Sequence, residues 1–98
     1  MIRRIIFKPE AEADIAEAFD WYEERDAGLG AEFIRCVESC AHGIERHPEM
    51  YPLVHKNVRQ GITRRFPYSL FYFAGGDTIY VVSVFHASRD PSIWQERV

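Results

Sequence analysis

The chain has 98 residues, 47% of them hydrophobic, 14% aromatic and 28% charged, with a formal net charge of −3. This predicts one domain with a real core and excludes disorder, a collagen-like repeat and a membrane-spanning helix, since no apolar run nears the ~20 residues a span needs. Charge is unevenly placed: residues 1–54 hold 12 acidic against 6 basic side chains, and residues 55–98 hold 3 against 6. The split reads either as a basic working surface in the second half or as an acidic, solvated helix pair in the first. A net acidic chain is an unpromising start for a protein that grips nucleic acid.

Arg3 to Lys8 is a strand candidate centred on Ile5, Ile6 and Phe7. Pro9 then suits the first position of a helix, where its missing N–H costs nothing, and Glu10, Glu12 and Asp14 complement the positive end of the dipole. Ala11, Ile15, Ala18, Phe19 and Tyr22 form one apolar stripe, so helix one is predicted over Pro9 to Glu24, with Trp21 beside the stripe. Glu23 and Glu24 are expected on its solvated surface. Asp26 to Gly30 breaks the pattern, and Phe33, Ile34, Val37, Cys40, Ala41 and Ile44 start a second stripe that ends at His47-Pro48. Two helices joined this closely pack antiparallel.

After Pro52 the period changes from helical to alternating. Val58 to Phe66 is predicted as a strand with Val58, Gln60, Ile62, Arg64 and Phe66 on one side and Arg59, Gly61, Thr63 and Arg65 on the other. Tyr68 to Phe73 is an aromatic strand, Ala74 to Asp77 a hairpin turn, and Thr78 to His86 a strand apolar enough to be buried on both faces. Trp94, in the tail after Asp90-Pro91, is expected to pack back onto the fold. The order β-α-α-β-β-β predicts an α+β domain: an N-terminal strand, a helical hairpin on one face of a mostly antiparallel four-stranded sheet, and a short C-terminal tail. The first strand completes the sheet at an edge or beside the last strand.

Cys36 and Cys40 share a helix face, a spacing unsuited to a disulfide, and read as buried free thiols in a reducing compartment. With only His42 and His47 nearby, no metal site is expected. The N-terminus lacks the long apolar stretch and cleavage site of a signal peptide, so the cytoplasm is the expected location. Glycine-rich phosphate loops and nucleophile elbows are missing.

Chemistry-bearing outliers lie in the second half: Arg59, Arg64, Arg65, His86 and Arg89. Paired as a meander, they would meet in a concave basic patch. They read either as strand arginines shielding a sheet face, with His86 capping a strand end, or as a metal-independent RNA-cleaving site. In the second case His86 moves a proton and arginines steady the phosphate, although no partner for His86 stands at a readable spacing, and His55 and Lys56 lie in a loop. Phe66, Tyr68, Phe71, Tyr72, Phe73, Tyr80 and Phe85 exceed what one sheet face buries, leaving either half-exposed core aromatics or a groove for a partner segment.

The layout resembles the RelE/ParE superfamily, the toxins of bacterial type II toxin–antitoxin modules. The resemblance runs through Phe7-Lys8-Pro9-Glu10-Ala11, Trp21-Tyr22, Phe33 and Arg64-Arg65-Phe66-Pro67-Tyr68-Ser69-Leu70-Phe71-Tyr72 to Val84-Phe85-His86-Ala87-Ser88-Arg89-Asp90-Pro91 with Trp94 and Arg97. It implies a growth-inhibiting toxin with no cofactor, neutralised by a cognate antitoxin that wraps it. The ending looks closer to ParE-like, plasmid-stabilisation members, which implies DNA gyrase as the target and a non-enzymatic action. The alternatives are a RelE-like ribosome-dependent mRNA endoribonuclease, with Arg59, Arg65, His86 and Arg89 as its candidates, and an inactive homologue that keeps only antitoxin binding. Antitoxin- or target-binding candidates are Trp21, Tyr22, Arg64, Phe71, Phe73, Arg89 and Trp94. Dimerisation through exposed aromatics is a further expectation.

Overall fold

The computed structural model describes residues 4–98, so Arg3, expected in the first strand, lies outside the described residues. β1 (Arg4–Phe7) is followed by α1 (Pro9–Arg25), α2 (Leu29–Arg46), β2 (Leu53–His55), β3 (Val58–Ile62), β4 (Tyr68–Gly75), β5 (Thr78–His86) and a short α3 (Ser92–Gln95). Pro9 does stand in the first turn of α1, and two glycines explain the tight corner to α2. Gly28 has φ +90°, a left-handed conformation that costs other residues energy. A Cβ on Gly30 would lie 2.8 Å from the Phe19 ring, so the helices approach closely only because none is there. Glu23 bridges the corner: its carboxylate accepts the N–H of Gly28 (3.0 Å) and of Gly30 (2.9 Å), satisfying donors that open α2. Glu23 is therefore a capping group and not simply a solvated surface charge.

The strands form one sheet in the order β1-β5-β4-β3-β2. β1 lies beside the last strand and parallel to it, Arg4 opposite Thr78 and Phe7 opposite Val81; the other pairs are antiparallel. The sheet thus has five strands, mixed in direction, where four were expected. The extra one, β2, is three residues long with Leu53 and Val54 exposed, too short and too little buried to leave a period in the sequence.

β3 also ends earlier than the alternation suggests. The Thr63 hydroxyl donates to the Phe66 carbonyl at 2.6 Å, and the Tyr68 N–H returns to the same carbonyl at 2.8 Å, curling the segment into a turn. Arg64 and Arg65 are consequently loop residues, and Phe66 comes to the face opposite Val58 rather than sharing its side.

Two cores result. Between sheet and helices lie Ala11, Ala18, Tyr22, Phe33, Val37, Ile44, Phe66, Leu70, Tyr72, Ile79, Val81 and Val84. On the other face Val58, Phe71, Val82, Phe85 and Trp94 pack together, Trp94 stacked on Phe71 at 4.0 Å between ring centroids. β5 serves both cores, as its apolar run implied. A register slip sets Phe71 opposite Ser83 but Tyr72 opposite Val81, so Val82 is an extra residue that resets the alternation. The aromatic surplus is absorbed by this two-sided cover, and Trp21, at 50%, is the large aromatic left exposed among the described residues.

Candidate binding surfaces

His86 ends β5 and is half-buried. The backbone N–H of Ser88 donates to its Nδ1 at 3.0 Å, and the Ser88 hydroxyl oxygen lies 2.7 Å from the same nitrogen. A nitrogen that accepts from an amide carries no proton, so the neutral ring holds its proton on Nε2 and presents a donor there. The ring stands edge-on to Tyr68, 5.2 Å between centroids. Arg89 lays its guanidinium over the Phe85 ring at 4.3 Å. Burial pushes the Tyr68 phenol up, and the Arg89 charge pulls partly the other way. His86 and Arg89 border one cavity of about 290 Å³ whose polar wall is Gln60, donating to the Ser69 hydroxyl at 2.8 Å, and whose apolar wall is Phe71 and Trp94.

The other basic candidates do not join them. Arg59 donates to the carbonyls of Tyr51 (2.6 Å) and Glu49 (3.3 Å), fastening the segment before β2 to the sheet. Arg65 pairs with Glu32 of α2, which holds that carboxyl below its usual range. Arg64 faces a separate cleft shared with Arg35. The single basic patch expected from a meander is divided, because β3 stops at Ile62 and releases both arginines into a loop. His55 belongs to β2 rather than to a loop and sets its ring against Trp94 at 5.7 Å, while Lys56 bonds the Val98 carbonyl at 3.2 Å.

Among the proposed contact residues, Tyr22, Phe71 and Trp94 are buried, and half-buried Phe73 stacks on Tyr80 at 5.2 Å between centroids. Arg64, Arg89 and Trp21 are exposed; the Arg25 guanidinium covers Trp21 at 3.7 Å and Tyr22 supports it edge-on at 5.1 Å. The pair leaves an aromatic ring and a cation together at the surface. A third cavity, about 430 Å³, opens between α1 and α2; Phe7, Ile15, Phe19, Ile34 and Val37 line it, with Glu12, Asp20 and Glu38 alongside.

Sequence reasoning missed three residues. Asp14 lies among the stripe positions Ala11, Ile15 and Ala18, a placement that marks a carboxylate with a partner. It meets Arg97 and the edge of β5. Glu23 and Arg35 gave no such signal. Among the described residues no group of three or more His, Cys, Asp or Glu is placed to hold a metal, and no helix is long and apolar enough to cross a membrane. Cys36 and Cys40 are free thiols, and burial pushes Cys40 up to about 11.

A helical hairpin on a mixed sheet, with a donor histidine, divided arginines and cavities with apolar walls, defines a small α+β domain. Its residues 5–91 match the family described as the ParE toxin of type II toxin–antitoxin system, parDE, and the chain belongs to that family. Among solved structures, a chain from "Chromosomal ParDE TA system from P. aeruginosa" superposes with a TM-score of 0.80 at 14% identity, over 89% of this chain and 98% of that one. At that identity the likeness is one of fold. Comparison with curated proteins gives no match.

Proposed function

We propose that this chain is the toxin of a type II toxin–antitoxin pair, that it inhibits growth by binding DNA gyrase in the cytoplasm, and that a cognate antitoxin holds it inactive. Membership of the ParE family supports the toxin role. The observation that carries binding over RNA cleavage is the state of His86. Its Nδ1 is taken by the Ser88 amide, Nε2 presents a proton rather than a lone pair, and Arg59 and Arg65 are bonded elsewhere. A cleaving site needs a group able to accept a proton, beside cations aimed at the phosphate. The apolar cavity between α1 and α2 and the Trp21–Arg25 pair supply surface for partners.

The test is induced expression in bacteria of the chain beside folded His86→Ala and Arg65→Ala variants, with total mRNA and plasmid supercoiling followed together. Altered supercoiling with intact mRNA, little changed by either substitution, is the expected result. Rapid mRNA loss rescued by either substitution establishes the ribonuclease instead, and normal growth establishes an inactive homologue in that host.

A further inference from the structure

The cleft that holds Arg64 has no role in the reading above. It lies between α2 and the β3–β4 segment, encloses about 290 Å³, and is bordered by Arg35, Ser39, Cys40, Tyr51, Ile62 and Arg64. Arg35 and Arg64 are both exposed, and neither has a hydrogen bond or an ion pair within 4 Å to a described residue. The carboxylate that feels Arg35, Glu32, is already bonded to Arg65. Among the described residues no acidic side chain lines the cleft.

Two guanidinium forks stand there with the hydroxyls of Ser39 and Tyr51, all able to donate. Gly43 lets Tyr51 in: a Cβ at that position would be 2.6 Å from the tyrosine hydroxyl. So dense a set of donors without a carboxylate among them fits an oxyanion, which arginine binds in two-point fashion. The remaining walls decide its source. Ile62 is 69% exposed at the lip, and the half-buried Cys40 thiol is held protonated by burial, so the cleft also offers apolar surface. A nucleic-acid strand would bring many phosphates to a chain of net charge −3 and would find here a single aromatic side chain, the half-buried Tyr51, on which to stack a base. A peptide brings one carboxylate with an aliphatic neighbour, which matches both parts of the wall.

We infer that this cleft docks an acidic segment of a partner protein, one carboxylate held between Arg35 and Arg64 and the adjoining aliphatic side chain against Ile62 and Cys40. Only the partner's identity rests on the toxin reading; the preference for a carboxylate beside an apolar group rests on the cleft.

The test uses the full chain, isotope-labelled, titrated in separate arms with a blocked tripeptide of glutamate between two leucines, its glutamine counterpart, inorganic phosphate and a single-stranded oligodeoxynucleotide. The glutamate peptide is expected to move the signals of Ser39, Cys40, Gly43 and Ile62 and to bind about tenfold more tightly than the glutamine peptide. Arg35→Gln with Arg64→Gln should weaken it by a further tenfold or more at unchanged thermal midpoint, while Arg46→Gln, an exposed cation outside the cleft, leaves it unaltered. Equal binding of both peptides, no shifts at the cleft, or cleft shifts with phosphate or oligonucleotide in place of the peptide would each overturn the assignment. Peptide binding that persists while the chain proves harmless in cells sinks the toxin reading alone, and the converse sinks this inference alone.

Discussion

Asp14 and Arg97 stand 83 positions apart in the chain and meet in a two-point ion pair, Oδ2 to Nη1 at 2.7 Å and Oδ1 to Nη2 at 3.2 Å. The pair sits where β1 runs out. β1 accompanies β5 only to Val81, and beyond it the Asp14 carboxylate accepts the Val84 N–H at 3.0 Å while Arg97 donates to the Val82 carbonyl at 3.2 Å. Two side chains thus continue a ladder that the backbone has left, which satisfies edge groups that would otherwise need water or another strand.

Removing either side chain should therefore cost more than a surface ion pair does. The side chains are 9% and 21% exposed, and loss of Asp14 strands the Val84 amide as well as Arg97. Asp14→Ala is expected to destabilise by about 2–4 kcal/mol, and a double-mutant cycle with Arg97→Ala to show a coupling of about 1–3 kcal/mol. Urea unfolding measures both, and additive single effects would contradict the shared role.

The hairpin corner gives a second expectation. Glu23→Ala removes the acceptor of two amides and should cost about 1 kcal/mol, as loss of a helix cap does. Gly30→Ala puts a methyl group 2.8 Å from the Phe19 ring and 2.9 Å from the Glu23 carboxylate, so about 1–3 kcal/mol is expected. Thermal unfolding of the two variants checks the order.

On the second face, Trp94→Ala should lose about 3–5 kcal/mol, since it empties the stack on Phe71 that holds α3 down. In a Trp21→Phe background the remaining tryptophan is the buried one, and its fluorescence should resist quenching by iodide until the chain unfolds. Easy quenching in the folded state would mean that α3 does not stay packed.

Alkaline pH supplies a further test. Burial pushes the Tyr72 phenol up to about 12 from an ordinary 10, with Tyr22, Tyr51 and Tyr68 raised as well. The unfolded chain then ionises first, so stability is fully present below pH 10 and falls as pH rises toward 12. Tyr72→Phe should flatten that fall, while losing the hydrogen bond to the Pro48 carbonyl at 2.6 Å, worth about 1 kcal/mol at neutral pH. A fall as steep in the variant would assign it to other groups.

Much of this fold was legible in the sequence because apolar side chains report their own burial. The stripes of α1 and α2 and the unbroken run of β5 each state which faces are covered. What stayed hidden is set by polar contacts across long separations. Thr63 turns the chain at a place where alternation continues on paper, and with it Arg64 and Arg65 leave the sheet. His86 was visible as an outlier, but the state of its ring depends on an amide two residues on, which no spacing rule reports. Arg35 was passed over because a helix arginine among solvated charges looks like any other until the loop carrying Arg64 is brought beside it.

The parallel pairing of β1 with β5 has a consequence for synthesis. Arg4 waits for Thr78, and the apolar stripes of the finished hairpin wait for Leu70, Tyr72 and Val81, all translated later. A half-made chain therefore carries a helix pair with an uncovered greasy side and a lone strand without a neighbour, a state prone to capture by chaperones or to clumping. The sheet can close only once β5 has left the ribosome, so the shape that would do harm arrives late and all at once.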